Sequence, residues 1–442
     1  MTFTPTIPAR FRYLDDLSIQ EFVKDVCSEK ATKSFERKLQ ETSFAADLQL
    51  IVQRHYLEYL VLLARKSSLA AKLFSRLTFG DLRNGYYEAS EFLTISSSVY
   101  DQLAPRKREQ FRARFNGLFN GPQGLIPLSH EMLTAHRLTQ MGFKVEFIEL
   151  SEEDRFDFRI SKNGVVAELD CKSVVNDNGI FFDAATANVT YKILTKFIEK
   201  LSVMQNCILH LQIKSRNRAK YDFGLELKRA AEAAGATGSA ETDVFHLQKV
   251  SFPDTFFDLE KTAEPQSSDN EICRAISKCI PGLDCSQVEA VYLTSRVKTR
   301  QSRTAVVLSS GTNSSWLDNI VRAIKESLNG QLSGARAPVL CIRFNNLSNE
   351  ERSTLYWSES SRSDDGVRLS PSDAIAWEVA RSTAEYRGRL CALMLWDQPT
   401  YSPSAILSAG GTPVYKQDLN VKHMYFPGNP VGFALRDLME NH

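Results

Sequence analysis

Two carboxylates and a lysine stand near one another in this chain, in an order suited to holding a divalent cation beside a phosphate. Asp157 lies in Phe156-Asp157-Phe158-Arg159-Ile160, and Asp170-Cys171-Lys172 lies in the run from Val165 to Val174. Between them, Asn163-Gly164 separates two alternating apolar runs, a strong hairpin signal because both residues tolerate positive φ. Side chains alternate faces along a strand. Val165, Ala167, Leu169 and Cys171 therefore share one face, and Glu168, Asp170 and Lys172 the other. Asp157 points away from Phe156 and Phe158, so a paired hairpin presents both aspartates on one face. Mg²⁺ takes oxygen ligands and keeps several waters, so two carboxylates and a backbone carbonyl suffice to hold it. Such an ion polarises a phosphoryl oxygen and acidifies a bound water. A lysine beside it can hydrogen-bond that water and stabilise negative charge.

The elements that must position these residues follow from periodicity. Residues about 14–120 read as mainly helical, with Phe22, Val23 and Val26, then Leu48, Ile51, Val52, Tyr56, Leu60 and Leu63, at helical spacing. Ala104-Pro105 interrupts the pattern before the basic run Arg106-Lys107-Arg108, and Gly117, Gly121, Pro122, Gly124 and Pro127 mark a linker. Ser129 reads as a helix N-cap with Leu128 and Leu133 as a hydrophobic staple, and Met141-Gly142 as that helix's C-terminus. That helix carries Glu131. A strand at Lys144–Leu150, the hairpin, a helix over about 183–203, a strand at Cys207–Ile213 and a helix over about 221–234 complete a block spanning 128–234. Residues 235–285 read as a loop-rich connector with one strand-like run near Val244–Phe252. Residues 286–442 again look α/β, with strands at Val288–Leu293, Thr304–Leu308, Pro338–Phe344 and Leu390–Trp396, helices near 315–328 and 372–385, and a polar loop at Ser358–Ser372. The expected domains are a helical region 1–127, the block 128–234, the connector 235–285 and a C-terminal α/β region 286–442.

The order of Glu131 on a helix, then a strand, Asp157, a hairpin, Asp170-x-Lys172, a helix and a strand resembles the PD-(D/E)xK nuclease superfamily. The core of that family is a helix, three strands, a helix and a fourth strand, and the resemblance covers roughly 129–213. It implies a restriction-endonuclease-like mixed sheet and a nuclease hydrolysing phosphodiester bonds, DNA ahead of RNA, with Mg²⁺ or Mn²⁺ as cofactor. By that resemblance Asp157 and Asp170 bind metal, Lys172 orients or helps deprotonate the attacking water, and Glu131 adds an acid from the first helix. Phe156 stands where many members carry proline. Two other readings stay open: a nuclease-like fold used only to bind nucleic acid or protein, and an unrelated α/β protein in which Asp170 and Lys172 are the wet face of a strand.

The rest of the chain bounds the partners. With 442 residues, 43% hydrophobic and 24% charged, it has the composition of a globular protein of more than one domain. A net charge of +1 means that any basic surface is local. Lys192, Lys196 and Lys200 recur every four residues beside Ile193, Phe197 and Leu201, and Lys214, Arg216, Arg218 and Lys220 follow the next strand. Such stripes can track phosphates, so Lys192, Lys196, Lys200, Lys214 and Arg216 are candidate nucleic-acid contacts. Arg296, Lys298, Arg300 and Arg303 form a third basic group. A homodimer or a partner protein would suit a nuclease that cuts both strands. No run reaches the roughly 20 apolar residues of a membrane span, and the N-terminus lacks a signal-peptide pattern. Eight cysteines, of which Cys171, Cys207, Cys341 and Cys391 fall in strand-like runs, fit no usual zinc spacing and suggest a reducing cytoplasm. His130 and His136 do not share a helix face, and His210 reads as a satisfied core histidine. No GxxxxGK[ST] loop is present.

Overall fold

The computed structural model describes residues 4–6, 12–41, 55–66, 79–121, 123–148, 156–175, 189–194, 196, 207–214, 223–251, 276, 278–283, 288–295, 303–310, 316–332, 336–345, 381, 389–396, 400–407, 413–418, 421–425 and 430–440. The described N-terminal part is helical: α1 (Leu17–Val26), α2 (Glu29–Glu41), α3 (Tyr56–Ala64), α4 (Phe79–Gln102), α5 (Pro105–Phe119) and α6 (Ile126–Gln140). Asp16 caps α1 by accepting the Ser18 N–H at 2.8 Å, and Ile19, Phe22, Val23 and Val26 line its buried face. Pro105 opens α5, where its missing N–H costs nothing. Arg108 reaches back to the last carbonyls of the preceding turn, at Leu103 (3.0 Å) and Asp101 (2.6 Å).

The expected linker shrinks, because Gly117 lies inside α5 and Pro127 inside α6. Ser129 is therefore not a cap. It is buried in the first turn of α6, and its hydroxyl donates to Glu88 at 3.0 Å. The C-terminus of α6 is as expected, with Gly142 at φ 80° after Met141.

Four strands and more follow: β1 (Lys144–Phe147), β2 (Phe158–Lys162), β3 (Val165–Val175), β4 (Cys207–Ile213), α7 (Phe223–Thr237), β5 (Ser239–Glu241), β6 (Phe245–Ser251), β7 (Val288–Ser295), β8 (Arg303–Ser310), α8 (Trp316–Gly330), β9 (Ala337–Asn345), β10 (Ala392–Trp396), β11 (Thr400–Leu407), β12 (Pro413–Asp418), β13 (Val421–Tyr425) and α9 (Pro430–Glu440). The class is mixed α/β. One sheet has the order β1-β2-β3-β9-β10-β13, a second has β5-β6-β4-β8-β7, and β11-β12 form a ribbon. In the first sheet β3, β9 and β10 run parallel, while β1-β2, β2-β3 and β10-β13 are antiparallel.

Two expectations about organisation do not hold. Cys207–Ile213 is a strand, but it pairs with β6 and β8 in the second sheet and not with β3. The neighbour of β3 is β9, from the C-terminal region. The sheets therefore cut across the boundaries placed at 234 and 286. An apolar run identifies a strand buried on both faces but says nothing about its neighbour. Likewise part of the expected connector, 239–251, forms β5 and β6. Strands β11 to β13 and helix α9 were not expected. The sites 149–150, 176–188, 252–275 and 346–380 lie outside the described residues, and with them the polar loop at Ser358–Ser372 and most of the 372–385 helix.

Each face of the first sheet has its own cover. Ala167, Leu169, Cys171, Val339, Cys341, Met394 and Trp396 pack into one core with α1 to α6 and α9. Val174, Leu340, Ile342, Leu393 and Leu395 pack on the other side against Ile320, Ile324 and Leu328 of α8. On the first side a buried polar network ties the helices to the sheet. Arg343 Nη1 donates to Glu88 Oε1 at 2.7 Å, and Tyr56 Oη donates to Glu88 Oε2 at 2.7 Å. Arg343 is fully buried, and the Glu88 carboxylate, with the Tyr56 hydroxyl accepting from Nη2 at 3.2 Å, holds its guanidinium charged against the burial that opposes it. Among the described residues no helix is long and apolar enough to cross a membrane.

Candidate active site

The hairpin forms as the sequence dictates. Asn163 (φ 50°) and Gly164 (φ 81°) make a two-residue turn, and Lys162 pairs with Val165. Phe158 pairs with Leu169 at the last register position, and Asp157 stands just before β2. The pairing of β1 continues, with the Ile148 N–H donating to the Asp157 carbonyl at 3.0 Å. Asp157 Oδ2 accepts the Cys171 N–H at 2.6 Å, which pins its carboxylate to the strand that carries Asp170.

Asp170 is 1% exposed, so this face of β3 is not a wet one. Burial of a carboxylate requires partners, and Asp170 has them. Lys172 Nζ lies 3.0 Å from Oδ1 and 2.9 Å from Oδ2, and Ser327 of α8 donates its hydroxyl to Oδ2 at 2.5 Å. Lys172 itself is half-buried. Burial pushes its ammonium pKa down, but Asp170, and then Asp157, push it up by more, so it is raised overall. One ammonium thus feels both aspartates. Glu168, also fully buried, pairs with Arg336 at 3.1 Å.

Glu131 does not join this group. It lies on α6, which packs on the opposite face of the sheet, and it pairs with Arg114 at 2.7 Å. Spacing along the chain could not show that the helix of Glu131 and the helix over Asp170 cover different faces. Of the basic candidates, Lys192 and Lys196 are exposed on a helical stretch whose Val189, Ile193 and Leu194 pack into the core of the second sheet. Lys214 follows β4 in that same sheet and pairs with Glu241 at 2.5 Å. Lys200, Arg216, Arg218, Lys220, Arg296, Lys298 and Arg300 lie outside the described residues. His210 is the satisfied core histidine expected, between Ser309 Oγ (2.7 Å) and Gln248 Nε2 (3.0 Å), and burial lowers its pKa to about 4.

A second constellation escaped the sequence reading. His130, Cys171 and Cys341 are buried together, each offering a ligand atom within 4.8 Å of the others. It is the one such group of three among the described residues, so Asp157, Asp170 and Glu131 do not form another. Cys171 and Cys341 are register partners on adjacent parallel strands, and 211 positions separate His130 from Cys341. No spacing motif spans that distance.

In comparisons with known proteins no family model matches the chain, and neither a curated protein nor a solved structure matches it.

Proposed function

We propose that this chain is a metal-dependent nuclease with a restriction-endonuclease-like core, acting on DNA in preference to RNA. The observation that carries the reading is the Lys172 ammonium paired with buried Asp170, with the Asp157 carboxylate bonded to the intervening Cys171 N–H. The frame supports it. Helix α6, strands β1, β2 and β3, helix α8 and strand β9 follow in the order helix, three strands, helix, strand, with β9 in place of Cys207–Ile213 and the second sheet between β3 and α8.

Asp157 and Asp170 offer hard oxygen donors, the kind that Mg²⁺ or Mn²⁺ takes. When bound, such an ion polarises the phosphoryl oxygen and acidifies a water. The chain's own residues do the rest. Lys172, with its raised pKa, is charged near neutral pH, so it acts as a hydrogen-bond donor to the phosphate or the attacking water and not as a base. A phosphate oxygen competes with Asp170 for that ammonium, which frees a carboxylate oxygen for the ion. Ser327 holds the other Asp170 oxygen and fixes the carboxylate's orientation. Exposed Lys192 and Lys196 are candidates for contact with a nucleic-acid backbone, and a second copy of the chain would supply a second cutting site for duplex DNA.

One observation favours a binding role without catalysis: in this arrangement both Asp170 oxygens are engaged and the residue is buried. A nuclease assay separates the two. Linear, circular and single-stranded DNA, and RNA, are incubated with the pure chain and Mg²⁺, Mn²⁺ or EDTA. Cutting is expected with metal only, and Asp170→Asn and Lys172→Met should each lower it by at least about 100-fold, the loss of roughly 2.7 kcal/mol of transition-state stabilisation. Metal-dependent binding without cutting supports the binding role. Equal cutting by wild type and both variants sinks the proposed site.

A further inference from the structure

We propose that His130, Cys171 and Cys341 form a zinc site on the α6 face of the first sheet, across the sheet from the Asp170–Lys172 pair. The argument is independent of the nuclease reading. Thiolate and imidazole are the ligands that Zn²⁺ prefers, and three protein ligands with one open position are a common set. At Zn–S of about 2.3 Å and Zn–N of about 2.0–2.1 Å, a sulfur and a nitrogen on one tetrahedral ion stand roughly 3.5 Å apart. His130 Nε2 lies 3.3 Å from Cys341 Sγ. All three ligand atoms fall within 4.8 Å of one another, so small rotamer shifts admit an ion.

The surroundings are those of a ligand set. His130 Nδ1 faces Ser173 Oγ at 3.5 Å, which leaves Nε2 for the metal and orients the ring, and Trp396 packs edge-on against it with centroids 5.4 Å apart. Thr134 Oγ1 lies 3.7 Å from Cys341 Sγ, within reach to donate to a thiolate. Two thiolates and one divalent ion sum to zero charge, which is the combination a buried site tolerates best. All three side chains are buried, so the site is closed to bulk solvent.

The test is metal content and a Co²⁺ titration on the full chain in reducing buffer. One equivalent of zinc is expected on the protein as purified. After chelation, Co²⁺ should produce a thiolate charge-transfer band that Zn²⁺ bleaches. Cys171→Ser, Cys341→Ser and His130→Ala should lose the band, Ser173→Ala should weaken binding by about 10–100-fold, and Cys391→Ser, outside the group, should retain it. Should the cysteine variants fail to fold, the wild-type titration decides: no stoichiometric uptake, or uptake without a thiolate band, overturns the proposal. So does a Cys171–Cys341 disulfide found by mass spectrometry in protein purified without air, or metal retained by folded Cys341→Ser protein.

Discussion

Lys172 stands between two acids, and its consequences for stability can be separated from those for chemistry. Asp170 is buried and both its oxygens depend on Lys172 and Ser327. Removing the ammonium leaves a buried carboxylate short of a partner, a loss of roughly 1.5–3 kcal/mol for a charge-assisted bond. Lys172→Met is therefore expected to unfold at lower urea than wild type. Asp170→Asn with Lys172→Met together should recover part of that loss, because the uncompensated charge is gone. A double-mutant cycle by urea denaturation measures this coupling, and strict additivity of the two variants would mean that the ion pair contributes nothing. The same cycle leaves the nuclease question untouched, since both variants are expected to be inactive. At this scale the sequence was informative about identity and alternation: Asp170 and Lys172, two apart on β3, do share a side. It was silent about Ser327, whose role depends on a helix that starts 141 positions after Val175 and carries no motif.

The β2-β3 hairpin is the element that brings Asp157 to the strand of Asp170, and its turn is the part most exposed to test. Gly164 has φ 81°, and a Cβ built there meets nothing within 4 Å. Any cost of Gly164→Ala is then the cost of the left-handed backbone alone, roughly 1–2 kcal/mol for an L-residue with a side chain. The variant should shift the urea midpoint by that amount with an unchanged slope, and a shift near zero would show that the turn has another conformation in solution. The packing of elements explains what alternation missed. Glu131 lies on a helix and Asp170 on a strand of the sheet it covers, yet α6 and α8 cover opposite faces, so the helix acid pairs with Arg114 and the strand acid accepts from Ser327. The cysteines show the converse. Cys171 and Cys341 look like small apolar residues in two unrelated runs, and become neighbours only because β3 and β9 pair.

At the scale of the whole molecule, the first sheet is interrupted in sequence but continuous in space. Its β3 leads to β9 through α8, and the second sheet occupies the chain between β3 and α8. The two sheets have separate hydrophobic cores among the described residues. Replacing residues 176–315 with a flexible Gly/Ser linker of about ten residues is expected to leave the first sheet folded, with a cooperative unfolding transition and retained near-UV circular dichroism. A chain that is molten after this excision would show that the second sheet is part of the same folding unit. If the proposed nuclease reading holds, the excised protein also loses Lys192 and Lys196, so binding to nucleic acid should weaken while any zinc uptake at the His130 group persists.

Local chemistry decided the parts that the sequence determined alone. The Asn163-Gly164 turn, the alternation along β3, the Met141-Gly142 helix end and the strand character of Cys207–Ile213, Pro338–Phe344 and Leu390–Trp396 all follow from backbone preferences and period over a few residues. Strand partners do not. A buried parallel strand is apolar on both faces and carries no mark of which neighbour it takes, so only the tertiary structure set β9 beside β3, moved β4 to another sheet, put α8 over Asp170 and brought His130, Cys171 and Cys341 together.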